Sequence, residues 1–260
     1  YTGWYTLSLH DALPIFSFPS LDIIFDVAER LMRDTIGVVA PEKKLSAFPF
    51  PRLSHEEAME KYGCDKPDIR FGLLLQDATA LLKGKSDFNV FNNAETIKCL
   101  VAKGCGGYSK GQLEQLEGLA KEKGAKGLAY AKVVSEGLDI GVSRFFSPEL
   151  QKEIIAALSA SPGDLLLFVA DKPSIVNKAL SHLRNYLGDV LQLKDPNLLS
   201  FAWVTGFPFY EVNDEGKLDF GHNPFSMPQG GLKALETQNP LDIKSFQYDL
   251  TLNGFEIASG

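Results

Sequence analysis

Apolar and polar positions alternate along this chain with two periods, one helical and one extended. Leu21, Ile24, Phe25, Ala28, Leu31 and Met32 recur at three- and four-residue spacing, which predicts a helix ahead of Gly37. A proline-punctuated link, Ala47-Phe-Pro-Phe-Pro-Arg52, leads to Ser54-His-Glu-Glu57, a capping box that starts a short helix ending at Gly63. His55 is expected in its solvated first turn. Ser109 and Gln112 open another helix with Leu113, Leu116, Leu119 and Ala120 on one stripe. Residues 127–133 read as a strand. Ser147-Pro148 caps a third helix carrying Leu150, Ile154, Ile155 and Leu158. Leu165-Leu-Leu-Phe-Val-Ala170 has no polar break and reads as a strand buried on both faces. A helix from about Ser174 through Leu187, with Val176, Ala179, Leu180 and Leu183 inward, completes an α/β unit with its own core.

The C-terminal stretch carries the most specific pattern. Asn253-Gly254 lies between two alternating runs, a two-residue hairpin signal because both positions tolerate positive φ. Pairing outward from that turn sets Leu252 opposite Phe255 and Leu250 opposite Ile257, one apolar side. Asp249, Thr251, Glu256 and Ala258 then share the other side. Two carboxylates on one face suit either a solvated polar face or a floor that meets a cation-bound ligand, since magnesium takes a few carboxylate oxygens together with phosphate oxygens.

The 260 residues hold one large or two modest domains, and 45% apolar content is enough for a real core. No apolar run is long enough to cross a bilayer. Cys64, Cys99 and Cys105 are odd in number and lack a C-x-x-C spacing, which points away from a disulfide framework or a zinc site and toward a reducing cytoplasm. The net charge of −7 argues against a generally basic coat for nucleic acid, while leaving room for a local basic patch.

Several features invite more chemistry than they carry. Gly104-Cys-Gly-Gly107 lacks the spacing and lysine of a phosphate loop and reads as a turn. Lys121, Lys123 and Lys126 suit a phosphate backbone or a solvated helix end equally well. Cys105 has no histidine partner in sequence, and His182, beside an apolar stripe, reads as structural.

Gly221-His-Asn-Pro-Phe-Ser-Met-Pro228, followed by Tyr248-Asp-Leu-Thr-Leu-Asn-Gly-Phe-Glu-Ile-Ala-Ser-Gly260, resembles the C-terminal catalytic region of bacterial-type aspartyl-tRNA synthetases, which are class II enzymes. Cys64-Asp-Lys-Pro-Asp-Ile-Arg70 is similar to that family's Ser-Asp-Lys-Pro-Asp-Leu-Arg signature, with Cys64 in place of serine. It serves as the marker of entry into an inserted domain, and its charges are assigned no catalytic role. The middle of the chain, including residues 124–130, resembles that insert, the GAD domain shared with an amidotransferase subunit.

The resemblance implies an α+β fold, a partial class II antiparallel sheet with an inserted α/β GAD domain. Its parts are catalytic-domain segments at 17–70 and 194–260 and the insert at 71–193. Residues 1–16 match nothing in the family and look like translated adapter sequence, so a non-native leader is expected and His10 and Asp11 are set aside. The family's anticodon-binding barrel, its dimer-forming motif 1 and the arginines of motifs 2 and 3 have no counterpart here. The resemblance therefore implies an internal fragment, inactive alone, of a cytoplasmic homodimeric enzyme.

The implied chemistry is activation of L-aspartate by ATP and transfer to tRNA(Asp), with or without tRNA(Asn). Neither step needs a protein nucleophile, so no residue is assigned covalent catalysis. By resemblance His222 and Asp249 bind the aspartate substrate, and Glu256 binds ATP with its Mg2+. Family members often show His-His-Pro-Phe; Asn223 stands at the second histidine, keeping hydrogen bonding and losing the capacity for positive charge. Two rival readings are a GAD-type tRNA-binding module related to the amidotransferase subunit and a purely structural scaffold. The first has no reason to carry the His222 and Glu256 motifs.

Overall fold

The computed structural model describes residues 20–213, 215–221, 223 and 225–260. The described chain forms two compact units. One takes in the chain up to Ala58, Asp65–Arg70 and Lys194–Gly260; the other takes in Met59–Cys64 and Phe71–Leu193.

The first unit is a helix on a sheet. Ser20 Oγ accepts from the Ile23 amide and caps the helix Leu21–Val39, which runs past Gly37. The sheet has four strands in the order Phe255–Ser259, Tyr248–Leu252, Phe201–Thr205 and Arg52–Ser54. The first two contacts are antiparallel and the last is parallel. Phe201, Trp203 and Leu250 on one sheet face join Phe25 and Phe50 in a core flanked by Ile24, Ala28 and Met32. Leu31, predicted on this stripe, is 58% exposed. The helix instead buries Glu29 (2% exposed), whose carboxylate accepts from Trp203 Nε1 at 2.9 Å and the Phe50 amide at 3.1 Å, and meets Arg52 Nη1 at 2.9 Å. A charge buried in a helix stripe is tolerated because donors saturate it.

The second unit is a five-stranded antiparallel sheet covered on both faces. Its order is Gln76–Asp77, Thr96–Ala102, Leu165–Asp171, Ala129–Val134 and Gly137–Asp139. Leu165, Leu167 and Val169 point into a core with Leu113, Leu116, Leu180 and Leu183. Leu166 and Phe168 point the other way, to Phe91, Leu150 and Ile154. Both sides of the strand are apolar because each side has its own helices to meet. The helix Lys110–Glu122 has the predicted reciprocal box of Ser109 with Gln112, and Pro148–Ala157 is capped by Ser147.

Candidate active site

The hairpin forms at the predicted turn, with Asn253 at φ 52° and Gly254 at φ 92°. Asn253 does more than tolerate the turn. Its side-chain oxygen accepts from the Ser200 amide and its nitrogen donates to the Leu198 carbonyl, pinning the tip to the segment that leads into Phe201–Thr205.

The pairing differs from the sequence expectation beyond the first two rungs. Leu252 opposes Phe255 and Thr251 opposes Glu256, but a bulge between Leu250 and Thr251 then sets Leu250 opposite Ala258, not Ile257. The extra residue lets both Ile257 and Ala258 pack against the core. Ala258 therefore leaves the polar side to which alternation assigns it, and Phe255 is 74% exposed instead of completing an apolar face.

Asp249 and Glu256 nonetheless come together. Across the sheet Asp249 pairs with Val204 and Thr251 with Ala202, placing both on the face turned away from Phe201 and Trp203. Lys66 Nζ spans the two acids, 3.1 Å from Glu256 and 3.8 Å from Asp249, and lies 2.6 Å from Asp65. Here the sequence reading missed a participant. Lys66 and Asp65 belong to the Cys64–Arg70 signature, to which it gave no role, and the signal that could have found them was that signature itself.

The loop that delivers Lys66 is braced from below. Arg70 grips Asp68 with Nε at 3.0 Å and Nη2 at 2.7 Å, and Asp68 is 3% exposed. Burial works to raise the Asp68 pKa, but hydrogen bonds and charge from Arg70 outweigh it and hold the carboxyl below the usual range. The hairpin tip rests on this loop: a Cβ on Gly254 would come 3.3 Å from that of Asp68. Glycine thus serves both the positive φ and the close approach.

The electrostatics follow from that crowding. Burial, reinforced by the Glu256 charge, pushes the Asp249 carboxyl up to about 6 against the pull of Lys66 and a hydrogen bond from Gln247. Burial would lower Lys66, but hydrogen bonds and charges from Asp65 and Glu256 prevail and raise it to about 12. Asp249 and Glu256 share the one ammonium of Lys66, an arrangement suited to a cationic group of a ligand.

Other expectations fare variously. His222 lies outside the described residues, as do residues 1–19. His55 is half-buried rather than solvated; its ring stands 4.9 Å from that of Phe207. Cys105 is buried and its thiol is pushed up by that burial, unlike an activated nucleophile. His182 is lowered by burial and by Lys123. Lys121 pairs with Glu117 and Lys126 stands 3.7 Å from Asp171. Among the described residues, no helix is long and apolar enough to cross a membrane.

Residues 88–180 match the family described as the GAD domain. The chain is also similar over nearly all its length to proteins named as ligases. It is 40% identical over 249 residues to the aspartate–tRNA(Asp/Asn) ligase of Chlorobium phaeovibrioides, covering 94% of this chain and 41% of that protein. It is 42% identical over 255 residues to the aspartate–tRNA ligase of Bacillus licheniformis, covering 94% and 42%. To the aspartate–tRNA(Asp/Asn) ligase of Rubrobacter xylanophilus it is 40% identical over 249 residues, covering 94% and 41%. The chain thus spans about two fifths of the length of these relatives.

Proposed function

We propose, since the chain belongs to the aspartate–tRNA ligase family, that it contributes to an enzyme that activates L-aspartate with ATP and transfers it to tRNA(Asp). Relatives are named for tRNA(Asp) alone and for both tRNA(Asp) and tRNA(Asn), at matching levels of identity. The observation that carries the reading is the convergence of Asp249, Glu256 and Lys66 on one sheet face. A rival binding module of the amidotransferase type gains no support from relatives that cover 94% of the chain and are ligases by name.

In this reading residues 17–70 and 194–260 are catalytic-domain segments and 71–193 are the insert. Asp249 and His222 hold the aspartate substrate. Asp249, buried beside Glu256, presents a carboxylate to the substrate's ammonium group, an interaction strengthened by exclusion of water. Glu256 meets ATP through Mg2+. The donors fit such an ion: the Glu256 carboxylate is partly open and already holds a cation, the Lys66 ammonium. Among the described residues no three acidic, histidine or cysteine side chains form a cage. Magnesium takes one or two carboxylates and completes its shell with phosphate and water. When bound, the ion supplies neutralisation of phosphate charge.

Lys66 is the counter-cation of the resting site. It keeps Asp249 and Glu256 from repelling each other and fixes their orientation before substrate arrives. Binding a substrate ammonium would then require Lys66 to lean toward Asp65, its nearest partner at 2.6 Å. Activation itself needs no nucleophile from the chain, only aspartate held against the α-phosphate of ATP.

The test is made in the complete ligase carrying these residues. Glu256→Gln is expected to lower kcat for aspartate-dependent ATP–pyrophosphate exchange at least ~100-fold, on the scale of losing one transition-state electrostatic contact. Asp249→Ala is expected to raise KM for aspartate more than KM for ATP. Unchanged exchange in both variants would remove the assignment.

A further inference from the structure

The second unit holds a cavity of about 330 Å3 within the GAD-matching residues. Its apolar wall is aromatic. Phe88 stacks on Phe145 with ring centres 4.9 Å apart at 27°, and Phe91 meets Phe88 edge-on at 84°. The lining also includes the small residues Gly127, Ala129 and Ala170. A Cβ on Gly127 would touch only Glu117 Oε1, at 3.7 Å, so space and not backbone strain is what glycine leaves there.

Charge at the cavity is unbalanced. Glu117 is taken up by Lys121 at 2.6 Å. Lys126 leans on Asp171 at 3.7 Å. Arg144 makes no salt bridge among the described residues; its guanidinium lies 4.8 Å over the Phe145 ring, the ring that also lines the cavity. The uncompensated charge is therefore positive, and it sits on a planar fork already stacked on an aromatic wall. Guanidinium in that posture offers its edge to a carboxylate, sulfonate or phosphate while its face stays occupied.

We infer that this cavity binds a small planar aromatic anion, its ring against the Phe88 and Phe145 pair and its acid group at Arg144. A volume of this size is that of a small-ligand pocket, about 300 Å3 and upward, and such pockets combine apolar walls with a few placed polar groups. Aromatic walls favour a flat ring over a saturated one, because stacked and edge-on contacts both become available. The anion supplies what Arg144 lacks.

The experiment uses three probes titrated into the 260-residue chain, read by amide chemical shifts and calorimetry. 2-Naphthoate carries ring and acid, 2-naphthol carries the ring without charge at neutral pH, and cyclohexanecarboxylate carries the acid without a flat ring. Naphthoate is expected to saturate, with shifts gathered at Gly127, Ala129 and Gly141, and to bind at least ~10-fold more tightly than either control. Arg144→Gln should weaken naphthoate by ~10-fold or more while leaving naphthol unchanged. Val90→Glu, at a 52% exposed lining position, should weaken it similarly by repulsion without disturbing the core. Absence of saturable shifts in the cavity, naphthol binding as tightly as naphthoate, or two variants that both bind naphthoate like the parent chain would each overturn the inference.

Discussion

The two larger sheets among the described residues are built from similar strands and treat their faces differently. In the five-stranded sheet the central strand Leu165–Asp171 is covered by apolar side chains on both sides. In the four-stranded sheet one face is filled by Phe25, Trp203 and Leu250, while the other carries Asp249, Thr251 and Glu256 beside Lys66. Along that central strand the first sheet uses burial for stability. The second places charge in a water-poor position, at a cost in stability that its neighbours only partly offset, which is the usual condition of a binding site.

That contrast can be broken most severely at the first sheet. Leu167→Ala, at a fully buried position, should destabilise the second unit by about 3–4 kcal/mol in urea unfolding, the sum of lost transfer energy and a cavity. At the second sheet the sign should reverse. Because the folded state holds the Asp249 proton up to about pH 6 and the unfolded state releases it near 3.8, the native state binds more protons between those values. Wild-type stability should therefore fall as pH rises from about 4 to 6, by on the order of 3 kcal/mol from this group. Asp249→Asn should flatten that slope and melt at a higher temperature than the wild type at pH 8. A lower melting temperature for this variant at pH 8 would show that the carboxylate is net stabilising there.

The buried acid that does belong to a core sharpens the comparison. Glu29→Gln keeps size but puts a donor among the Trp203, Phe50 and Arg52 donors, and should cost about 2 kcal/mol, read by Trp203 fluorescence during unfolding. The smallest effect is local. Ser109→Ala removes one half of a capping box and should cost about 1 kcal/mol, seen as faster amide exchange in the first turn of Lys110–Glu122.

What was legible in the sequence was what neighbours in the chain decide. Ser109 with Gln112, Ser147 with Pro148 and Asn253 with Gly254 each fix an element through contacts a few residues apart, and each is found as expected. The nearness of Asp249 and Glu256 follows from the turn between them. The bulge between Leu250 and Thr251 was not legible, because it reflects packing of Ile257 and Ala258 against a core shared with a helix more than two hundred residues earlier. Glu29 stands beside Ala28 with nothing local to bury it, and only its partners on distant segments explain its burial. Lys66 stood in a recognised signature, yet no local pattern ties it to acids about 180 residues away.

The way residues 71–193 leave and return has a consequence for the order of folding. Arg70 Nη1 lies 3.5 Å from the Asp195 carbonyl oxygen, so the chain leaves for residues 71–193 and returns from them at neighbouring points. To the rest of the chain a folded insert of this kind is a short link, not a long one. Joining Lys66 to Glu256 before the insert folds closes a loop of roughly 190 residues; afterwards the effective loop is about a third of that, and closure is easier by about 1 kcal/mol. The charged cluster should therefore be among the last features to assemble, arriving after the apolar five-stranded sheet is already in place.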